Sequence, residues 1–210
     1  MHLTRFSAGH AQFVVEQLLD VIITAALPSL SPTRVGGDSV MFYAVSERDN
    51  PESGTSGPDV ATAVHEMVAS FYRKRAELLA GNLCPCEACK HIPGLEIKMV
   101  VHRGDIMRYR LRGLEDLSGM AVIEAHRLLK NSVGGEHYVL VTEAAAEDVR
   151  LRWKLEPDRH RESYEGIGEM RCDLYLLGEE TLPSEIDKSP VLDMTGKLVS
   201  NVQTIVGTAR

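Results

Sequence analysis

The chain has 210 residues, of which 44% are hydrophobic and 25% charged, with a formal charge of −7. That balance supports a globular core without disulfides, and the acidic surplus argues against a surface built for nucleic acid or anionic membrane. No apolar run nears the roughly 20 residues of a membrane span. The start "MHLTRFSAGHAQ" also lacks the basic and apolar regions of a secretion signal, so the cytoplasm and reduced cysteines are expected.

In chain order, the first predicted element is a helix from about Ser7, as its cap, to Leu27. Phe13, Val14, Leu18, Val21, Ile22 and Ala25 form its apolar stripe. "SLSPTRV" and "SVMFYAV" alternate like strands and are joined by Gly36-Gly37-Asp38, a hairpin in which glycine supplies positive φ. "SERDNPESGTSG" is a polar loop. Gly57-Pro58-Asp59 opens a second helix that Gly81 closes, with Val60, Val64, Met67, Val68, Phe71, Leu78 and Leu79 inward. After the loop "NLCPCEACKHIPG", "LEIKMVVHRGDIMRYRLRG" reads as a strand, a kink at Gly104 and another strand. Leu95, Ile97, Met99 and Val101 share one face of the first strand, and Arg108, Arg110 and Arg112 share one face of the second. Ser118 should cap the helix "GMAVIEAHRLLKN"; the strand "HYVLVTE", a short helix "EAAAEDVRLRW" and a strand near "GEMRCDLYLL" follow. The compact domain is expected over residues 1–177, and residues 178–210 read as an extended C-terminal tail. Adjacent strands in this order predict an α+β fold, a ferredoxin-like antiparallel sheet with helices on one face. That plan wants a strand before the first helix, and few residues stand there.

Several side chains carry chemistry. Cys84, Cys86, Cys89 and His91 fall within eight residues and offer three thiolates and an imidazole, the donor set zinc prefers. Cys86 and Cys89 are equally a two-residue-spaced pair able to form a reversible disulfide, and a loop of plain reduced thiols is the third reading. Cys172 sits in a strand pattern, as a buried small hydrophobe would. Asp38 suits a hairpin turn by itself. The arginine stripe suits the wet face of a hairpin, or a face that meets acids across a dimer. His102, beside Gly104, reads as a hydrogen-bonded structural residue.

Taken together, "RVGGDSVMFYAV", "LEIKMVVHRGDI" and "LSGMAVIEAHRLLKNSVGGEHYVLVTE" resemble the class III nucleotidyl (adenylate/guanylate) cyclase domain. They match its Gly-Asp hairpin, its strand with a His-x-Gly kink, and its following helix and strand. With "CPCEAC", the chain resembles an uncharacterised bacterial family of cyclase-like proteins, over roughly residues 7–177. The resemblance implies two cations, Mg or Mn, gripped by two aspartates. One of these falls on Asp38; the other would lie on the strand absent before the first helix. The base-reading lysine falls on Arg34, a second base contact falls near apolar Leu114, the transition-state asparagine on Ile123 and the transition-state arginine on Arg127. Positions 123 and 127 share a helix face, which here offers no amide beside the guanidinium.

The expectation is therefore a catalytically degenerate cyclase-like module with remnant nucleotide-binding residues Arg34 and Arg127 and a metal residue Asp38. It would form a homodimer and bind nucleotide or a protein partner. A zinc-binding structural protein built on the cysteine loop is the alternative, and an active cyclase with a misassigned N-terminus is the second. The missing strand also predicts a chain that is poorly soluble, or one that fills the gap with its own tail or another subunit.

Overall fold

Alternation along one long strand decides how the layers stack. A computed structural model describes residues 2–27, 29–45, 59–135, 137–146, 149, 156–178 and 199–209. The helices are α1 (His2–Ala26), α2 (Val60–Ala80), α3 (Glu87–Lys90), α4 (Met120–Leu128) and α5 (Glu143–Ala146). The strands are β1 (Ser31–Gly36), β2 (Ser39–Val45), β3 (Glu96–Leu111), β4 (Leu114–Ser118), β5 (Tyr138–Thr142), β6 (Asp158–Tyr164), β7 (Gly168–Leu176) and β8 (Val199–Ala209).

In β3, Ile97, Met99 and Val101 are fully buried in one cluster with Leu18 and Ile22 of α1 and Val64, Met67 and Phe71 of α2. The alternate residue Val100 packs with Leu128, Tyr138 and Leu140, and Ile106 packs with Ala121, Val122 and Ala125 of α4. Both faces of β3 are apolar, so both need cover. The expected arrangement with helices on one face is thereby corrected: α1 and α2 cover one side of the sheet and α4 the other.

The sheet runs β1-β2-β8-β3-β5-β7-β6, with β4 paired to β3 off this path. It is mixed rather than antiparallel. β3 and β5 are parallel because α4 lies between them in the chain as a crossover, whereas β6 and β7 meet through a tight turn and are antiparallel. The fold is thus α+β with a mixed sheet. β8 lies parallel to both neighbours, pairing Ser39–Val45 of β2 on one side and residues 96–106 of β3 on the other. Residues 199–209, within the stretch read above as a tail, therefore form a central strand. The gap anticipated beside the hairpin is filled from within the chain, one of the outcomes expected.

Local signals explain most boundaries. The Asp59 side chain accepts a hydrogen bond from Thr62 N at 2.9 Å and caps α2, and Gly81 ends it. Tyr72 joins the buried face of α2, while Leu79 faces out. α1 already runs through Ser7, so that residue is not its cap. Ser118 closes β4, and Gly119 stands at the N-cap of α4 with φ 127°. Gly104 does not break β3 into two strands; it thins it. A Cβ there would stand 2.8 Å from Ala121 Cβ, so glycine is what lets α4 cross this close. The polar loop 46–57, and most of the short helix expected beyond Ala146, lie outside the described residues.

Candidate metal centre

On α1, His10 stands one helical turn before Val14, which in turn precedes buried Leu18 and Ile22 at the same spacing. The core stripe thus carries an imidazole at its upstream end, and that end overlies the loop between α2 and β3. Asn82 shapes this loop: its Oδ1 accepts from Cys84 N at 3.0 Å, and its Nδ2 donates to the Cys89 carbonyl at 3.5 Å. Cys86 is the N-cap of α3, and the single turn of that helix brings Cys89 back toward it.

The result is one cluster. His10 Nδ1 lies 3.3 Å from Cys84 Sγ, 3.4 Å from Cys86 Sγ and 3.5 Å from Cys89 Sγ. All four ligand atoms fall within 4.8 Å of one another. A tetrahedral cation with bonds of about 2.0–2.3 Å needs ligand–ligand separations of roughly 3.5–3.8 Å, so three thiolates and one imidazole are positioned here to hold a metal ion. Without a cation the three sulfurs cannot share charge comfortably. A backbone hydrogen bond from Cys89, with His10 helping, pulls the Cys86 thiol down to about 6, while burial and its sulfur neighbours push Cys89 up to about 12. A divalent ion removes that conflict by stabilising every thiolate together.

The fourth donor is His10, not His91 as the sequence suggested. His91 caps the far end of α3, and its Nδ1 is buried without a hydrogen-bond partner among the described residues. The imidazole positioned with the thiols lies 74 residues before Cys84 in the chain. The spacing of His10 from Val14 and Leu18 was the available signal.

The remaining site residues are spread out. Asp38 is half-buried in the turn between β1 and β2, beside a turn closed by Ser39 Oγ donating to the Gly36 carbonyl at 2.7 Å. Among the described residues it joins no cluster of three or more metal-donor side chains. Arg34 on β1 is ion-paired with Asp116 on β4, which also accepts from the Tyr109 hydroxyl at 3.3 Å. A backbone hydrogen bond from Leu117, reinforced by Arg34, holds the Asp116 carboxyl below the usual carboxylate range. Nearby, Tyr43, Arg108, Arg110 and Asp116 line a cleft of about 450 Å³. Ile123 and Arg127 are both exposed, on the face of α4 opposite Ala121, Val122, Ala125 and Leu128. Arg110 pairs with Glu115 across the β3–β4 hairpin.

Residues 15–138, more than half of the chain, match the family described as "Protein of unknown function (DUF2652)". The chain belongs to the DUF2652 family. An uncharacterised protein of Mycobacterium tuberculosis, Rv2561/Rv2562, is 28% identical over 172 residues, covering 81% of this chain and 76% of the relative. No solved structure matches. Neither description names an activity. The DUF2652 match takes in the cysteine loop, the Asp38 hairpin and Arg127, and starts five residues after His10.

Two buried polar networks in this DUF2652 chain are positioning devices. His102, 3% exposed, has Nδ1 at 3.0 Å from Thr142 Oγ1 and Nε2 at 2.8 Å from Glu124 Oε2, tying β3 to β5 and α4. Burial lowers its pKa, and Glu124 opposes the shift. Glu162 on β6 accepts from Ser132 N and Ser132 Oγ, both at 2.7 Å, and lies 2.6 Å from His160 Nε2. The carboxylate sits between the serine and the histidine, so the imidazole cannot take the serine proton and this is no nucleophilic triad. Cys172 is buried as expected, and burial pushes its thiol up to about 12. Among the described residues, no helix is long and apolar enough to cross a membrane.

Proposed function

We propose that this chain is a cyclase-like binding module clamped by a structural metal ion, zinc by the chemistry of its donors, which binds nucleotide or a protein partner without cyclase turnover. The observation that carries the reading is the convergence of His10, Cys84, Cys86 and Cys89 within 4.8 Å. Four protein donors leave no open position, which is the arrangement of a structural rather than a catalytic zinc. Thiolate ligation needs a reducing compartment, in keeping with the cytoplasm. Metal analysis of protein purified without chelator tests the clamp: about one equivalent of zinc is expected, and less than about a tenth of an equivalent of any transition metal would refute it.

The cyclase-like part of the proposal draws on the glycine-aspartate hairpin beside a central strand, and on α4 lying over Gly104. Its silence as a cyclase draws on exposed Ile123, where an amide would be needed, and on Arg34, which is engaged by Asp116. Cyclic nucleotide production needs two cations bridged by two carboxylates, and Asp38 stands in no donor cluster among the described residues. Calorimetry with ATP and GTP in magnesium or manganese is expected to show binding, weakened at least about threefold in Arg127→Ala, with no cyclic product. Absence of heat at millimolar nucleotide would exclude nucleotide as the ligand, and cyclic product lost on Asp38→Ala would overturn the silent reading.

A homodimer belongs to the same proposal. The β3–β4 hairpin exposes Met107, Tyr109, Leu111 and Leu114 on one face, and a lone two-stranded ribbon gains stability when such a face is covered. The double variant Leu111→Asp, Leu114→Asp is expected to halve the mass measured by light scattering. A wild-type monomer, or an unchanged mass in the variant, would rule this interface out.

A further inference from the structure

The cysteine cluster carries one more consequence, which rests on the metal reading above. Cys84 and Cys86 are half-exposed, whereas Cys89 is 7% exposed. Cys84 and Cys89 border an open cleft of about 650 Å³ that Phe13, Val14, Leu78 and Leu83 also line, and Cys86 is itself half-exposed to solvent, so a small polar solute reaches the cluster without unfolding the chain. Cys86 and Cys89 lie at the start and within the single turn of α3, and their sulfurs stand within 4.8 Å of each other. Closing to an S–S bond of about 2.05 Å needs only side-chain rotation and a small shift of that turn.

What the cluster holds in place is equally specific. Among the described side chains of α1, which begin at Ala8, the first buried is Val14; Ala8, Gly9, Gln12 and Phe13 are exposed, and His10 and Ala11 are half-buried. Residues 8–13 therefore bury little apolar surface of their own, and a ligand bond from His10 would tie them to the cysteine loop. Helix ends without tertiary contacts fray.

We infer that Cys86 and Cys89 are a hydroperoxide-responsive pair whose oxidation ejects the metal and releases the His10 end of α1. The chemistry balances with hydrogen peroxide as the oxidant. The Cys86 thiolate attacks one peroxide oxygen; the O–O bond breaks, and Cys86 sulfenic acid and hydroxide result. The Cys89 thiolate then attacks the Cys86 sulfur, forming the S–S bond and expelling a second hydroxide. The two sulfurs lose two electrons in total, the peroxide gains them, and two protons convert the hydroxides to water. The zinc keeps its oxidation state; it leaves because two of its four donors have become a neutral disulfide. A dithiol reductant reverses the step. Cys86 is the attacked residue because it is more accessible, and Cys89 resolves it because the Cys84–Cys86 spacing of one residue is too tight for an unstrained bridge.

Zinc-loaded full-length protein treated with about one equivalent of hydrogen peroxide is the test. Expected are loss of two of the four thiols and a Cys86–Cys89 linked peptide lighter by about 2 Da. Zinc should be released to a chromogenic chelator and rebound after dithiothreitol, and amide exchange over residues 8–13 should speed at least tenfold. Cys84→Ser keeps the reacting pair, so the same linked peptide is expected there even where the variant holds zinc weakly. Protein that binds zinc but keeps it under peroxide, or that yields sulfinic acid or intermolecular bridges instead, overturns this inference and leaves the clamp standing. Protein that binds no metal removes both.

Discussion

Replacing His10 with alanine is expected to abolish zinc retention and to cost the protein about 4 kcal/mol at a free-metal level near a thousand times the dissociation constant. His91→Ala is expected to keep the metal and most of the stability. The contrast follows from geometry. His10 Nδ1 lies 3.3–3.5 Å from all three sulfurs, whereas His91 falls outside the cluster although it is only two residues from Cys89. For a chain of 210 residues the loss corresponds to a fall of about 10 °C in the melting temperature. The cost does not reach that of a zinc finger, which unfolds outright without metal. This chain has a core independent of the cluster, from Leu18 and Ile22 through Phe71 to Met99 and Val101. Atomic absorption on the two variants, with calorimetric melting in the presence and absence of chelator, reads both effects. Chelator should lower the melting point of the wild type and leave His10→Ala unmoved. Loss of zinc in His91→Ala with retention in His10→Ala would reject the assignment.

The same pair of histidines shows how far sequence reaches. The three thiolates were legible because their spacing is local. The imidazole was not, because His10 is joined to them by tertiary packing; only its place in the Val14–Leu18–Ile22 stripe hinted at a buried partner. Elements with strong periodicity or capping chemistry, such as α2 between Asp59 and Gly81 and the β1–β2 hairpin, are where they were expected. β4 and β6 were not. β4, Leu-Glu-Asp-Leu-Ser, does not alternate between apolar and polar residues, and β6 buries little beyond Glu162. The coverage of both sheet faces was half visible: the face of Ile97, Met99 and Val101 reads as a stripe, but Val100 and Ile106 become meaningful only once α4 is seen to return over Gly104. Arg34 and Arg127 carry no sequence signal that separates a ligand contact from an ordinary surface charge, and Asp116, 82 residues away, is brought to Arg34 only by tertiary packing.

Deleting residues 199–210 should have the largest effect of all: the truncated chain is expected to be insoluble or to lose cooperative unfolding. β8 is paired along its whole length, with seven register pairs to β2 and eleven to β3. Its removal leaves facing rows of N–H and C=O groups on two strands that otherwise lie inside the sheet. At about 1 kcal/mol net for each hydrogen bond, losing on the order of ten bonds matches the whole 5–15 kcal/mol stability of an ordinary domain. The two exposed strand borders then become templates for association. A point variant isolates the backbone effect. Gln203 is in register with Met41 on one side and Val100 on the other, so Gln203→Pro removes an N–H from the middle of a doubly paired strand. It should destabilise by at least about 3 kcal/mol, whereas Gln203→Val should be tolerated. The strand can also be supplied separately. A synthetic peptide spanning residues 199–209 is expected to restore solubility to the truncated protein, as strand addition does at any open sheet border. Truncated protein that remains a soluble monomer with an unchanged melting temperature would show that the sheet does not depend on this strand.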